Sequence, residues 1–216
     1  RSLADGRLYA LKRSARRFRG PSDRNRILLE AFRHRAVGRN RHCVQLWAAW
    51  EERGLLYLQS QLCADGSLAT TTTTATTTGA QRRNRRAMWG WRLSAYMSDL
   101  LGALRHLHAR KMAHGDVKPS NALLDGGRCL LADFGCGVGG GAGRYAAPEV
   151  AAMAGGDGAT AEADVFSLGL TVAEVALGER AADGETWREL RGGRLPHVLR
   201  EGGSRGGRGV GDVGAG

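Results

Sequence analysis

Apolar and polar residues alternate along the first third of the chain at the spacing of β-strands. This alternation predicts three strands, over residues 7–12, 43–50 and 55–60. Only the turn at 51–54 separates the last two, which favours a hairpin. Before that hairpin, Ser22 and Asp23 offer a helix cap ahead of the apolar run 27–32, which predicts a helix.

The remainder of the chain has the spacing of helices. Apolar residues recur at every third or fourth position and predict a long amphipathic helix with its stripe in the core, formed by Leu93, Met97, Leu100, Leu101, Leu104 and Leu107. Residues 122–132 predict a short hairpin, and residues 165–176 are apolar nearly all round, as in a buried helix. Strands first and helices later predict an α+β fold in two lobes.

Two polar segments interrupt this pattern. Residues 69–79 consist mostly of threonine and predict a solvated loop. The arginines that follow, at positions 82, 83, 85 and 86, fit the edge of such a loop, although a localisation signal or a nucleic-acid patch is an alternative. Residues 201–216 are rich in glycine and arginine, and we expect them to be disordered.

Composition adds one clue. The 216 residues, 42% hydrophobic and 25% charged, fit one globular domain without a membrane span. Their net charge of +11 comes almost wholly from arginine, which indicates compositional drift more than a nucleic-acid partner. Such drift would spare lysine only where a guanidinium cannot replace an ammonium. The chain has lysine only at Lys12, Lys111 and Lys118, which therefore become candidate functional positions.

The cysteines indicate the compartment. Cys43, Cys63, Cys129 and Cys136 form no C-x-x-C pair and have no histidine at zinc-ligand spacing, so we do not expect a metal knuckle. No secretory signal precedes them, so we expect reduced thiols, mostly packed as small apolar residues, in an intracellular protein of the nucleus or cytoplasm.

Four short motifs occur in an informative order. They are YALK at 9–12, HGDVKPSN at 114–121, DFG at 133–135 and APE at 147–149. Together they resemble the motif set of protein kinases, and finding all four in order makes coincidence implausible. The resemblance implies an ATP-dependent protein kinase with a bilobal fold.

Phosphoryl transfer explains these residue types. Asp133 would hold the Mg²⁺ ion that bridges two phosphates of ATP, and Asn121 would bind a second Mg²⁺. Asp116 would take or orient the proton of the substrate hydroxyl, and Lys118 would reach the transferred phosphate. Lys12 would grip the remaining phosphates of ATP.

Helix and loop residues complete that assignment. Glu30, in the first predicted helix, is the candidate partner of Lys12.

The residues 135–140 also match G-x-G-x-x-G, but no predicted helix follows them, so a dinucleotide-binding fold is disfavoured. Before Lys12 only Gly6 is a glycine, so the glycine-rich loop of a kinase is expected to be missing.

A closer resemblance is to the Wee family of kinases, in its membrane-associated tyrosine/threonine branch. The matching residues are 5–14, 18–21, 23–24, Glu30 with His34, 37–38, 49–52, 56–59 leading to Cys63, 116–119 and 163–170. This resemblance implies phosphorylation of neighbouring Thr and Tyr residues in a cyclin-dependent kinase, which restrains entry into mitosis. It implies a protein substrate and a monomer.

The same resemblance assigns further residues. Ser60 would be the gatekeeper, and Gln61 to Cys63 would form the hinge to adenine. Asp164 would brace the catalytic loop, which is the motif at 114–121. Gly115 replaces the usual arginine before the catalytic aspartate, so activation by a phosphate on the activation loop is disfavoured.

We therefore expect residues 1–200 to be a kinase domain truncated at both ends, with lobes at about 1–62 and 63–200. A catalytically impaired pseudokinase or scaffold is the main alternative. Another serine/threonine kinase and a nucleic-acid-binding protein are further ones.

Overall fold

A computed structural model describes residues 5–73, 79–135, 143–152, 159–177 and 184–194. The strands are β1 (Tyr9–Arg13), β2 (Leu46–Glu52), β3 (Leu55–Gln61), β4 (Ala122–Asp125) and β5 (Arg128–Leu131). The helices are α1 (Pro21–Val37), α2 (Leu68–Thr73), α3 (Gly79–His108), α4 (Pro148–Ala152), α5 (Ala161–Leu177) and α6 (Gly184–Arg191). A 3₁₀ turn spans Pro119–Asn121. The predicted α+β class is confirmed.

The first three strands form an antiparallel sheet in the order β1-β3-β2. The hairpin between β2 and β3 turns at Arg53 and Gly54, which both have positive φ, at 52° and 73°. Two left-handed residues give a turn whose twist matches that of the flanking strands. The predicted hairpin is therefore confirmed, and the register places Lys12 of β1 opposite Leu58 of β3.

Strand β2 is shorter than predicted because its expected first residues pair elsewhere. It begins at Leu46, whereas Cys43 forms a parallel bridge with Leu131 of β5. The Val44 N–H also donates to the carbonyl of Leu131 at 2.9 Å. These contacts attach the chain before β2 to the second hairpin, β4-β5, which the sequence predicted nearly residue for residue.

The predicted cap of the first helix is wrong. Helix α1 begins at Pro21, which lacks an N–H and so fits the first helical position, and Gly20 precedes it without a side-chain cap. Asp23 is instead bound by the guanidinium of Arg16, at 2.5 and 2.8 Å, and by the N–H of Arg19 at 2.9 Å. This carboxylate therefore secures the connection between β1 and α1.

The threonine-rich segment starts as a helix, contrary to the predicted loop. Ser67 N–H donates to Thr70 Oγ1 at 3.0 Å, and the hydroxyl of Thr70 donates to the carbonyl of Ser67 at 2.8 Å. This local cap favours α2, which runs to Thr73. The arginines at 82, 83, 85 and 86 lie within the helix α3, so their predicted place at a loop edge is wrong. Residues 74–78 and 201–216 lie outside the described ranges.

The main core lies where α3 packs on β5 and α5 packs on α3. Leu100, Leu104 and Leu107 of α3 are buried there, as predicted. Met97 and Leu101 are 39% and 42% exposed, so the stripe does not lie wholly in the core. Helix α5 is buried on one side but exposes Val165 at 52%. No helix in the described ranges combines the length and apolar character that crossing a bilayer requires.

Candidate active site

Lys12, Glu30 and Asp133 meet although they are far apart in sequence. Lys12 Nζ donates to Glu30 Oε1 at 2.7 Å and to Asp133 Oδ1 at 2.9 Å. Strand β1 supplies the lysine, α1 the glutamate, and the segment after β5 the aspartate. Asp133 has φ 65°, a left-handed conformation that costs a non-glycine residue energy and occurs often at functional sites.

Burial and charge act in opposite directions on this cluster. Burial lowers the pKa of Lys12, but the hydrogen bonds that Lys12 donates to Glu30 and Asp133 outweigh this effect, and the net pKa is raised. For Asp133, burial raises the pKa, while the bond and charge of Lys12 lower it further than burial raises it. The cluster therefore holds one ammonium and an ionised Asp133 at neutral pH.

Asp116, Lys118 and Asn121 form a second cluster in the loop after α3. Lys118 Nζ donates to Asp116 Oδ2 at 2.5 Å, and Asn121 Nδ2 donates to the same oxygen at 2.9 Å. Asn121 Nδ2 also donates to the carbonyl of Asp116 at 2.9 Å, which closes the loop on itself. The side chain of Asp116 is therefore fixed by one cation and one amide.

The two clusters are joined through the backbone next to Asp133. The N–H of Ala132 donates to the carbonyl of Asn121 at 2.9 Å. His114 Nδ1 accepts the N–H of Asp116 at 3.2 Å, so its Nε2 carries the proton that is donated to the carbonyl of Ala132 at 3.0 Å. Asp116, Asn121 and Asp133 are thus held in one network.

Asp164, near the start of α5, binds the backbone of the loop that carries Asp116. It is 1% exposed, and it accepts the N–H of His114 at 2.7 Å and that of Gly115 at 2.8 Å. The ring of His108 lies 2.8 Å from the same carboxylate. These contacts agree with the bracing role that the family resemblance implies for Asp164.

Two buried histidines pack against Phe134, the residue after Asp133. The rings of His34 and Phe134 lie 4.8 Å apart, and those of His114 and Phe134 lie 5.4 Å apart, edge to face. Burial lowers the pKa of both histidines, so both rings are neutral at neutral pH. These ring contacts connect α1 with the loop at 114–121 through uncharged side chains.

The residues predicted for adenine lie at the end of β3 and just after it. Ser60 and Gln61 end β3, and Cys63 follows two residues later. Gln61 Nε2 donates to Asp125 Oδ2 at 2.8 Å, which ties the end of β3 to the β4-β5 turn. Their proposed roles toward adenine stay predictions. Lys111, the lysine without a predicted role, is exposed and has φ 55°.

The described cysteines behave as packed thiols. Cys43 and Cys129 are buried and Cys63 is half-buried, all as free thiols. Burial raises the pKa of Cys63 to about 11 and the pKa values of Cys43 and Cys129 to about 12. Cys136 lies outside the described residues.

A cavity of about 250 Å³ opens beside Asp116 and Lys118. Arg144, Tyr145 and Ser167 line its other side. The hydroxyl of Tyr145 donates to the buried Glu174 at 2.5 Å, and Ser167 Oγ donates to the carbonyl of Tyr145 at 2.8 Å. Glu174 and Ser167 of α5 therefore hold Tyr145 in place at this cavity.

The donor set fits magnesium better than a softer metal. Within the described ranges, no three His, Cys, Asp or Glu side chains form a metal site by themselves. Asp133 and Asn121 offer carboxylate and amide oxygens, and Mg²⁺ is commonly bound by one or two such ligands completed by waters and substrate phosphates. These two residues therefore suit a Mg²⁺ ion that enters with a nucleotide.

Arg33 is the site residue that the sequence did not reveal. Its guanidinium reaches the backbone on both sides of the site, at Ala113 and Phe134. The available signal was its spacing, since a residue three positions after Glu30 lies on the same helix face.

Residues 1–192 match the protein kinase domain family. The chain belongs to this family, whose domain is that of an ATP-dependent phosphotransferase. The match agrees with the fold and with the residues gathered around Lys12 and Asp116.

Several curated proteins resemble the chain. It is 34% identical over 205 residues to a probable protein kinase of Dictyostelium discoideum, covering 91% of this chain and 56% of that protein. It is 34% identical over 209 residues to the membrane-associated tyrosine- and threonine-specific cdc2-inhibitory kinase of Drosophila melanogaster, covering 91% and 36%. It is 34% identical over 203 residues to the mitosis inhibitor protein kinase wee1 of Schizosaccharomyces pombe, covering 89% and 22%. The chain thus spans 22–56% of the length of these relatives.

Proposed function

We propose that the protein is an active Wee-like kinase that transfers the γ-phosphate of ATP to Thr and Tyr residues of a cyclin-dependent kinase. The observation that carries the catalytic part is the network that holds Asp116, Asn121 and Asp133 together, with Lys12 bound to Asp133. Together these four residues would supply the cation, the base and the metal-binding oxygens that phosphoryl transfer needs.

The site residues divide the work of the transfer. The substrate hydroxyl oxygen attacks the γ-phosphorus, the bond to the β-γ bridging oxygen breaks, and ADP leaves with the electron pair of that bond. Asp116 takes the hydroxyl proton, and Lys118 lies beside it to stabilise charge on the moving phosphoryl group. Asp133 and Asn121 would hold Mg²⁺, which when bound neutralises charge on the phosphates.

Lys12 and Glu30 position the nucleotide. Lys12 is a compact ammonium that can turn from Asp133 toward phosphate oxygens while Glu30 keeps it in place. We assign Ser60, Gln61 and Cys63 to the adenine pocket on the family resemblance.

The proposed substrate rests on the Wee resemblance. The motif-bearing segments resemble the membrane-associated tyrosine/threonine branch. One of the relatives above is named as a membrane-associated tyrosine- and threonine-specific cdc2-inhibitory kinase, and another as a mitosis inhibitor protein kinase. Gly115 supports the same reading, since this loop lacks the arginine that would bind an activation-loop phosphate. We propose an intracellular monomer whose partner is that protein substrate, with no role in binding nucleic acid.

Incubation with Mg-ATP and a purified cyclin-dependent kinase tests this function. The protein expressed from its complete coding sequence should phosphorylate neighbouring Thr and Tyr residues in the substrate's nucleotide loop, as mapped by mass spectrometry. If the protein phosphorylates only serines of a general substrate, it is a protein kinase, but the Wee-like assignment is refuted. Binding of Mg-ATP without transfer to any protein would indicate the pseudokinase.

A further inference from the structure

One arginine of α1 bridges the two loops that carry the catalytic aspartates. Arg33 Nε donates to the carbonyl of Phe134 at 3.0 Å, and its Nη2 donates to the carbonyl of Ala113 at 2.5 Å. Phe134 directly follows Asp133, and Ala113 lies three residues before Asp116. One side chain therefore spans the segments whose relative placement decides where the phosphate and the attacking hydroxyl meet.

The chemistry of this bridge requires arginine. A guanidinium is planar and donates from several nitrogens in a fixed fork, so it can hold two carbonyl oxygens at a set separation, whereas an ammonium is a single point of donation. The side chain is half-buried, and hydrogen bonds from a charged donor are about twice as strong as neutral ones. The bridge is therefore rigid.

The bridge also connects both loops to the nucleotide-binding lysine. Glu30, which holds Lys12, lies one helical turn before Arg33 on the same face of α1. The catalytic loop has no arginine of its own beside Asp116, because Gly115 occupies that position. The guanidinium of Arg33, from α1, instead reaches the backbone just before this loop, at Ala113.

We propose that Arg33 is a positioning residue that fixes Asp116 and Asp133 relative to each other and to Glu30. The inference rests on the proposed kinase function and extends it.

Kinetics of three variants test the positioning role. We expect Arg33→Gln to lower kcat about 10- to 100-fold, because two charge-assisted hydrogen bonds are lost. Arg33→Lys keeps the charge but can reach only one carbonyl, so it should restore kcat only in part. Arg35→Gln, which removes an exposed arginine from the same helix, is the matched control and should stay within about twofold.

The KM for ATP separates positioning from loss of structure. Rates are normalised to the ATP-binding sites counted by calorimetry, and the KM should change by less than about threefold because Lys12, Glu30 and Asp133 keep their side chains. A kcat of Arg33→Gln equal to that of the wild type would overturn the proposal. Full rescue by Arg33→Lys would overturn the requirement for a fork.

Hydrogen exchange provides a readout that does not depend on catalysis. In Arg33→Gln, backbone amides at 113–118 and 132–135 should exchange about tenfold faster or more, while those of β2 and β3 keep their wild-type rates. Equal acceleration along the whole chain would contradict the bridge. If the wild type transfers no phosphate, the proposed function fails, and this exchange pattern still decides whether Arg33 tethers the loops.

Discussion

Replacing Asp116 with asparagine should lower the rate of phosphate transfer about 10²–10⁴-fold. The carboxylate is the group placed to accept the hydroxyl proton, and an amide of the same shape cannot take it. Lys118 and Asn121, which both donate to Asp116 Oδ2, can still donate to an amide oxygen, so the loop should keep its shape. Radiolabel transfer from ATP to the protein substrate under single-turnover conditions measures the effect.

A surface carboxylate provides the control for this variant. Glu52 is exposed at the end of β2, and Glu52→Gln removes one charge without touching the site, so its rate should match the wild type. Affinity for Mg-ATP should change little in Asp116→Asn, because Asp116 is not assigned to the metal. Equal transfer rates for Asp116→Asn and the wild type would refute its assignment as the base.

Replacing Asp164 with alanine should lower the free energy of unfolding by about 3–5 kcal/mol. The carboxylate is 1% exposed and accepts the N–H groups of His114 and Gly115. Alanine leaves both donors without an acceptor, at a cost of about 1–3 kcal/mol each, and also removes the partner of His108. Urea unfolding followed by tryptophan fluorescence gives the value.

Glu162→Ala is the comparison for Asp164→Ala. Glu162 is an exposed acidic residue in the first turn of the same helix, so its loss should lower the free energy of unfolding far less than the loss of Asp164. A loss below about 1 kcal/mol in Asp164→Ala would show that the catalytic loop does not depend on this carboxylate.

The sequence predicted the parts of the site that lie in short motifs. Lys12 and Asp116 stood out because phosphoryl transfer requires their chemical groups, and scarcity of lysine made Lys12 and Lys118 conspicuous. The β2-β3 and β4-β5 hairpins were also predictable, because tight turns join alternating segments. Local chemistry and local geometry were enough in each case.

What the sequence did not predict depends on packing between distant segments. In α1 the apolar run 27–32 predicted the helix, but the fully buried residues of this helix are His34 and Val37, and Phe32 is 64% exposed. The helix faces a site made of carbonyls and carboxylates, so polar residues occupy its inner side. Arg33 was missed because its acceptors are backbone oxygens, which have no signature in the sequence, and its helical spacing from Glu30 was the available signal.

The prediction of a loop in the threonine-rich segment was wrong at 69–73 for a different reason. Threonine has modest helix propensity, and residues 69–79 have no apolar periodicity, so a loop was expected. A single cap formed by Ser67 and Thr70 was enough to start the helix α2, with Leu68 buried at 0% exposure. The burial of Leu68 in the core and one cap therefore outweighed the intrinsic preference.

Calorimetric titration of ATP in the presence and absence of Mg²⁺ tests the central claim, that Lys12, Asn121 and Asp133 form a nucleotide site. We predict one ATP bound per chain, with an affinity that falls sharply without Mg²⁺ and in Asp133→Asn, while Glu52→Gln binds like the wild type. Saturation with Mg-ATP at a hundredfold excess over Kd should add about 2.7 kcal/mol of stability. An affinity for ATP that neither Mg²⁺ removal nor Asp133→Asn alters would contradict the claim.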